Sequence, residues 1–105
     1  MSPDRTAALE KMLERRPDDM RLRFGLALEY LARGRLEEGV RELRAYLEAS
    51  DDEGNAWGRL GAALRDLGHD AEAREAYVRG IDAARRHAHP TMAAEFEDVL
   101  EDWER

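Results

Sequence analysis

Apolar residues recur along this chain at intervals of three and four, which is the spacing of one buried face on an α-helix. The pattern predicts six helices, covering about residues 3–17, 20–32, 36–49, 52–67, 70–88 and 92–103. No stretch has the character of a β-strand. The connections between helices are short, so neighbouring helices should pack antiparallel, and the predicted fold class is all-α.

Capping and helix-breaking residues mark the predicted helix ends. Ser2 before Pro3 is a favourable start for the first helix. The hydroxyl can accept a hydrogen bond from a free amide, and proline lacks an N–H group that would have no partner in the first turn. Ser50 with Glu53 forms a capping-box pattern before the fourth helix. The other signals are the acidic caps Asp18, Asp19 and Asp70, the closing glycines Gly34 and Gly68, and the interrupting Pro90.

Three of the helices have distinctive apolar patterns. The first carries one stripe that should be buried, made of Ala8, Leu9, Met12 and Leu13. The second is apolar on more than one face, so it must be covered on two sides. The last carries an apolar stripe on an otherwise acidic helix, made of Met92, Phe96, Val99, Leu100 and Trp103.

The chain contains an internal repeat. A shift of 34 residues keeps the size class of most core positions and superimposes Leu26 on Leu60, Ala27 on Gly61, Tyr30 on Leu64, Gly34 on Gly68, Gly39 on Ala73, Leu43 on Tyr77 and Leu47 on Ile81. Small residues at such positions let two helices cross closely while bulky neighbours fill the grooves. A repeat of this length is typical of stacked helix pairs.

The second copy carries Trp57, Leu60, Gly61, Ala73 and Tyr77 at the spacing of a known pattern. In these residues the chain resembles the tetratricopeptide repeat family. The first copy departs from the pattern, with Arg23 at the tryptophan place, and Arg85 stands where the second copy would have its closing proline.

The resemblance implies antiparallel helix pairs arranged as a right-handed superhelix within one domain. Residues 1–17 would be an N-terminal capping helix, 18–51 the first repeat, 52–88 the second repeat, and 89–105 an amphipathic C-terminal capping helix. Terminal elements of this kind are expected, because end repeats must be shielded from water.

The resemblance also implies a protein-interaction module or small scaffold that binds a peptide or helix of a partner in a concave groove. By repeat register the groove would be lined by Arg21, Phe24, Leu28 and Leu31 in the first copy and Asn55, Gly58, Arg59, Ala62 and Arg65 in the second. An apolar floor beside guanidinium groups suits a segment that carries carboxylates. Phe24 and Leu28 stand where some family members have the lysine and asparagine that hold chaperone tails, so that clamp is absent.

Two alternatives remain open at this stage. The apolar floor could be covered by the chain's own last helix or by a second subunit, because an exposed apolar patch usually has an occupant. In the second case the protein would be a self-assembling structural protein, such as a homodimer, whose groove is filled by the acidic C-terminal helix of a neighbouring subunit.

The charge balance argues against two classes of partner. The formal net charge is -7, and most of the excess acid lies in residues 91–105. Nucleic acids and anionic membrane surfaces attract basic proteins, so neither is an expected partner. No apolar run approaches a membrane span, and a cytoplasmic location is the default expectation. Arginine is used sixteen times against the single Lys11, which favours a bacterial source with a GC-rich genome.

No catalytic, cofactor or metal site is predicted. The chain has no cysteine, and its two serines, Ser2 and Ser50, have the positions of helix caps. His87 and His89 have no third ligand at a recognisable spacing, so a metal pair is disfavoured. The acids at 51–53 lack the alternating ligands of a calcium loop and fit helix-start carboxylates better.

Overall fold

The computed structural model describes residues 4–104, which form six α-helices and no strand. The helices are α1 (Arg5–Arg15), α2 (Met20–Ala32), α3 (Leu36–Ala49), α4 (Asn55–Asp66), α5 (Asp70–Arg86) and α6 (Pro90–Trp103). The all-α class and the number of helices predicted from the sequence are confirmed for these residues. None of the helices within residues 4–104 is long and apolar enough to cross a membrane.

The chain divides into two compact units, one ending at Ser50 and the other beginning at Asp51. The first unit holds α1, α2 and α3, and the second holds α4, α5 and α6. The predicted assignment of residues 18–51 and 52–88 to two repeats, within one domain, stays a prediction.

In the first unit α2 and α3 pack antiparallel. Phe24, early in α2, meets Tyr46, late in α3, with ring centroids 4.9 Å apart. Leu31, late in α2, packs against Gly39, early in α3. Leu43 lies between these contacts and is fully buried.

The second unit has the same pairing of helices and one more helix. Gly61, near the middle of α4, meets Tyr77 near the middle of α5, and a Cβ atom at position 61 would lie 2.8 Å from the tyrosine ring. A Cβ atom at Gly39 of the first unit would likewise overlap the Leu31 side chain. The prediction that small residues at these crossings allow close approach is therefore confirmed for both glycines.

The last helix, α6, packs on α5 and completes the core of the second unit. Its apolar residues Met92, Phe96 and Leu100 pack against a cluster made of Ile81, Ala84 and Ala93. The amphipathic stripe that the sequence predicts for this helix thus faces its own unit.

Several helix starts differ from the sequence prediction. The N-cap residue of α4 is Gly54, not Ser50, and the carboxylate of Asp52 accepts from the amides of Gly54 and Ala56, each at 2.9 Å. Asp70 is the first residue of α5, not its cap, and no side chain caps that helix at His69.

Asp19 does cap α2, accepting from the amide of Leu22 at 3.0 Å, which confirms that prediction. The predicted cap of the first helix at Ser2 and Pro3 lies outside the described residues, and the first described cap is Asp4.

The prediction of a buried stripe on the first helix is partly wrong. Ala8 is exposed and Met12 is 47% exposed, whereas Thr6 is fully buried and donates to the carboxylate of Asp4. Within the described residues α1 packs mainly on α2, so part of its apolar surface stays in contact with water.

Three inter-helix turns share one hydrogen-bond pattern. Gly34, Gly68 and Ala88 all have positive φ, at 76°, 83° and 61°. In each turn the amide of that residue and the next amide return to carbonyls three and five residues earlier, as in Gly34 to Leu31. The predicted closing glycines are confirmed. Pro90, predicted only as an interruption before a helix from about Met92, is the first residue of α6, and α5 already ends at Arg86. Ala88 holds a conformation that costs a residue with a Cβ atom about 1–2 kcal/mol.

Candidate functional site

The outer face of α4 brings together four of the five second-copy residues of the predicted site. Asn55, Arg59, Ala62 and Arg65 recur at intervals of four, three and three, and all four are exposed. The opposite face of the same helix is buried through Ala56, Leu60, Ala63 and Leu64. The helix therefore presents a continuous polar stripe that the core does not use.

On α2 the first-copy residues are less accessible. Arg21 is exposed, while Phe24, Leu28 and Leu31 are half-buried. Phe24 and Leu31 are partly occupied by their contacts with α3. Leu28 is half-buried as well, so part of its side chain remains accessible.

Gly58 lies under the last helix rather than on the outer stripe. A Cβ atom at Gly58 would lie 2.5 Å from the ring of Phe96, and one at Gly80 would lie 3.0 Å from the same ring. Phe96 therefore occupies a slot between two glycines, one in α4 and one in α5. Its ring also meets Tyr77 edge to face at a centroid distance of 5.7 Å.

The indole ring of Trp103 joins α6 to two arginines. The guanidinium carbon of Arg65 lies 4.2 Å from the ring centroid, and that of Arg74 lies 4.8 Å from it. Arg65 is one of the predicted site residues, but Arg74 and the role of Trp103 were not found from the sequence. The spacing of Trp103 indicates a core residue, and nothing in the sequence marks Arg74 as its neighbour.

A buried ion pair occupies the place where the first copy lacks its tryptophan. Arg23 of α2 donates to Glu42 of α3 at 2.7 Å, with side chains 19% and 10% exposed. Arg23 also donates to the carbonyl of Pro17 at 3.1 Å. In the second copy the corresponding residues are Trp57 and the small, buried Ala76. The two copies thus use different chemistry at one position of the repeat.

The two histidines meet acids at one corner of the second unit. Nε2 of His87 lies 3.1 Å from Oδ2 of Asp51, and Nε2 of His89 lies 3.0 Å from Oε1 of Glu53. These contacts join the loop before α4 to the loop before α6. Within residues 4–104 no group of three or more His, Asp or Glu side chains is arranged to hold a metal ion.

Local hydrogen bonds shift the titration of several groups. Arg35 donates to Glu38 and lowers the pKa of that carboxyl, and Thr6 does the same for Asp4. Burial raises the pKa of the Tyr77 phenol. None of these groups belongs to the predicted site.

Comparison with known proteins identifies similar sequences and a similar structure. The family model described as Tetratricopeptide repeat matches residues 2–84. The TPR repeat-containing protein PA0015 of Pseudomonas aeruginosa is 37% identical over 79 residues, which cover 75% of this chain and 75% of that protein. The solution structure of protein BPP2914 from Bordetella parapertussis has a TM-score of 0.80 and 31% identity, covering 97% of this chain and 88% of that one. The resemblance found in the sequence is confirmed, and both relatives are bacterial.

Proposed function

We propose, because this chain belongs to the tetratricopeptide repeat family, that it binds a peptide or helix of a partner protein through the outer faces of α2 and α4. Proteins built from these repeats generally bind other proteins or peptides, and they are typically not enzymes.

The observation that carries the proposal is the exposed stripe on α4. Its arginine Arg59 forms no ion pair within residues 4–104, and neither does Arg21 on α2. A guanidinium group can bind a carboxylate through two parallel hydrogen bonds, which fixes both position and orientation. The free arginines therefore favour a partner segment that carries Asp or Glu.

The apolar part of the contact would come from α2. Leu28, with the accessible parts of Phe24 and Leu31, offers a small hydrophobic surface beside Arg21. Full burial of an exposed leucine side chain contributes about 1.5–3 kcal/mol, and the half-buried Leu28 would contribute only part of that. Polar pairs at the rim of such a contact add specificity more than affinity. On α4, Asn55 and Ala62 would contact the backbone of the segment.

Glutamate substitutions on the proposed faces test the proposal. Leu28→Glu and Arg59→Glu should each reduce capture of partner proteins from a bacterial lysate, because one places a charge in the apolar contact and the other repels carboxylates. Val78→Glu is the matched control, since Val78 is 55% exposed on α5 and outside both faces. Phe24→Glu is a weaker test, because it also breaks the ring contact with Tyr46. Equal capture by Leu28→Glu and the unmodified protein would exclude the α2 face.

The second candidate is self-assembly by exchange of α6 between two copies. Ala88, in the loop between α5 and α6, holds a left-handed conformation that favours glycine, and strained hinge loops promote exchange of the element that follows. In an exchanged dimer Phe96 of one copy would fill the Gly58 and Gly80 slot of the other.

Molar mass from light scattering, measured across a hundredfold range of concentration, separates the two candidates. Exchange predicts a dimer that becomes less abundant in Ala88→Gly, because glycine removes the strain in the closed hinge. A monomer at every concentration would exclude exchange and leave the faces of α2 and α4 for a foreign segment.

A further inference from the structure

Arginine side chains lie over aromatic rings at three places within residues 4–104, and one place differs from the other two. In two of them the guanidinium group also binds a carboxylate three or four residues away. These are Arg35, which lies 4.7 Å from the centroid of Tyr30 and 2.6 Å from Glu38, and Arg79, which lies 5.6 Å from the centroid of Trp57 and 3.4 Å from Glu75.

The third place has two arginines and no carboxylate. Arg65 and Arg74 lie 4.2 Å and 4.8 Å from the centroid of Trp103. Neither forms an ion pair within the part of the chain that the structure describes, although Asp66 follows Arg65 directly. Attraction to the electron-rich ring face holds both cations beside the indole, where their like charges repel each other.

We propose that Arg65, Arg74 and Trp103 form a binding site for a carboxylate side chain of the partner segment. This deepens the proposed function and rests on it, because Arg65 also ends the exposed stripe of α4. An arginine that contacts a ring through its flat face keeps the N–H donors at its edge available. A carboxylate can accept two of these donors from one guanidinium, and its charge offsets the repulsion between the two.

The indole makes the site more than a pair of surface charges. A free arginine loses side-chain entropy when it binds an anion, which is why most exposed ion pairs contribute little. Contact with Trp103 restricts both arginines before an anion arrives, so less freedom is lost on binding. Trp103 also brings α6 into the site, which therefore takes one residue from each of the three helices of the second unit.

An acidic peptide titrated against the full chain tests the site. In a Trp57→Phe background Trp103 is the sole tryptophan, so its emission reports on the site directly. At low ionic strength, blocked tetraglutamate should produce a saturable change in emission, and blocked tetraglutamine should produce none. Inorganic phosphate should bind more weakly than tetraglutamate. The absence of saturation with tetraglutamate, or stronger binding of phosphate, would overturn the proposal.

Variants identify the residues responsible. Arg65→Gln and Arg74→Gln should each weaken tetraglutamate binding roughly tenfold, the loss expected for a charge-assisted bond. Arg65→Lys should also weaken tetraglutamate binding. The lysine keeps the positive charge beside Trp103, but its ammonium group lacks the planar pair of donors that arginine offers a carboxylate. Arg79→Gln is the matched control, since Arg79 contacts the aromatic ring at position 57 but already binds Glu75, and it should leave affinity unchanged.

The outcome can be separated from that of the proposed function. Leu28→Glu changes the first unit only, so it should leave the tetraglutamate response intact even if it abolishes partner capture. Far-ultraviolet circular dichroism establishes that each variant folds. Equal weakening by Arg79→Gln and Arg65→Gln would show a general effect of charge and would contradict a defined site.

Discussion

Replacing Gly58 by alanine should destabilise the second unit even though alanine is the better helix former. The new Cβ atom would lie 2.5 Å and 2.6 Å from two atoms of the Phe96 ring, so the ring must leave its slot. Overpacking of this kind costs about 1–3 kcal/mol. The higher helix propensity of alanine offsets about 0.8–1 kcal/mol of that cost. The expected net loss is therefore about 1 kcal/mol, at most about 2.

A matched glycine gives the opposite sign. Gly25 lies inside α2, and a Cβ atom there would meet no other atom within 4 Å. Gly25→Ala should therefore stabilise the protein by about 0.5–1 kcal/mol through helix propensity alone. Any effect on the flexibility of the unfolded chain is shared by the two substitutions, so the difference between them isolates the Phe96 contact.

Urea unfolding followed by circular dichroism measures both variants, provided that the slope of the transition is unchanged. Gly58→Ala in a Phe96→Ala background completes the test, because without the ring the same substitution should become neutral or stabilising. A coupling of about 1–2 kcal/mol between the two sites is expected for residues in direct contact. If Gly58→Ala and Gly25→Ala stabilised the protein equally, the slot for Phe96 would be refuted.

Three further perturbations follow from the structure. Glu42→Ala should lower the free energy of unfolding in urea by about 3 kcal/mol, because it leaves Arg23 in a largely buried position without its acidic partner. Glu42→Gln should lower it less. A loss below about 0.5 kcal/mol in Glu42→Ala would contradict a stabilising ion pair. Ala88→Gly should raise the midpoint of thermal unfolding, since relief of about 1–2 kcal/mol of left-handed strain exceeds the entropy that glycine adds to the unfolded chain; a lower midpoint would contradict the strain. The carboxyl groups of Asp4 and Glu38 have lowered pKa values in the folded state. The stability they contribute is therefore present above their ordinary pKa values of 3.8 and 4.5, and it is lost as the pH falls through the lowered pKa values. Glu38→Gln should accordingly show a shallower fall in melting temperature on acidification than the unmodified protein.

The repeat explains why most of the fold could be predicted. Size classes conserved at a shift of 34 residues identify the close crossings, and Gly39 and Gly61 lie where that pattern indicates. Gly34 and Gly68 mark turns because few other residues accept positive φ. These features are local or periodic, so the sequence carries them directly.

Features that depend on contacts between helices were not predicted. Ser50 and Asp52 are both plausible caps in the sequence, and only the path of the loop decides that Asp52 reaches two amides. The arginine at the tryptophan place signals a departure from the family, but its partner Glu42 depends on the register between α2 and α3.

The sequence predicted most residues of the candidate site but not the contacts that they make. Repeat register places Arg59 and Arg65 on one helix face, and the structure shows that face to be exposed. Register cannot show which neighbours each residue has. The contact of Arg65 with Trp103, and the cover that Phe96 places over Gly58, depend on how α6 packs.

Site-specific photo-crosslinking tests the proposed binding faces most directly. A photoreactive amino acid placed at Leu28 or at Ala62 should crosslink the same partner protein, because both positions lie on the proposed faces. The same amino acid at Val78, which is exposed on α5 outside both faces, should give no such product. A partner crosslinked from position 78 but from neither position 28 nor position 62 would contradict the account.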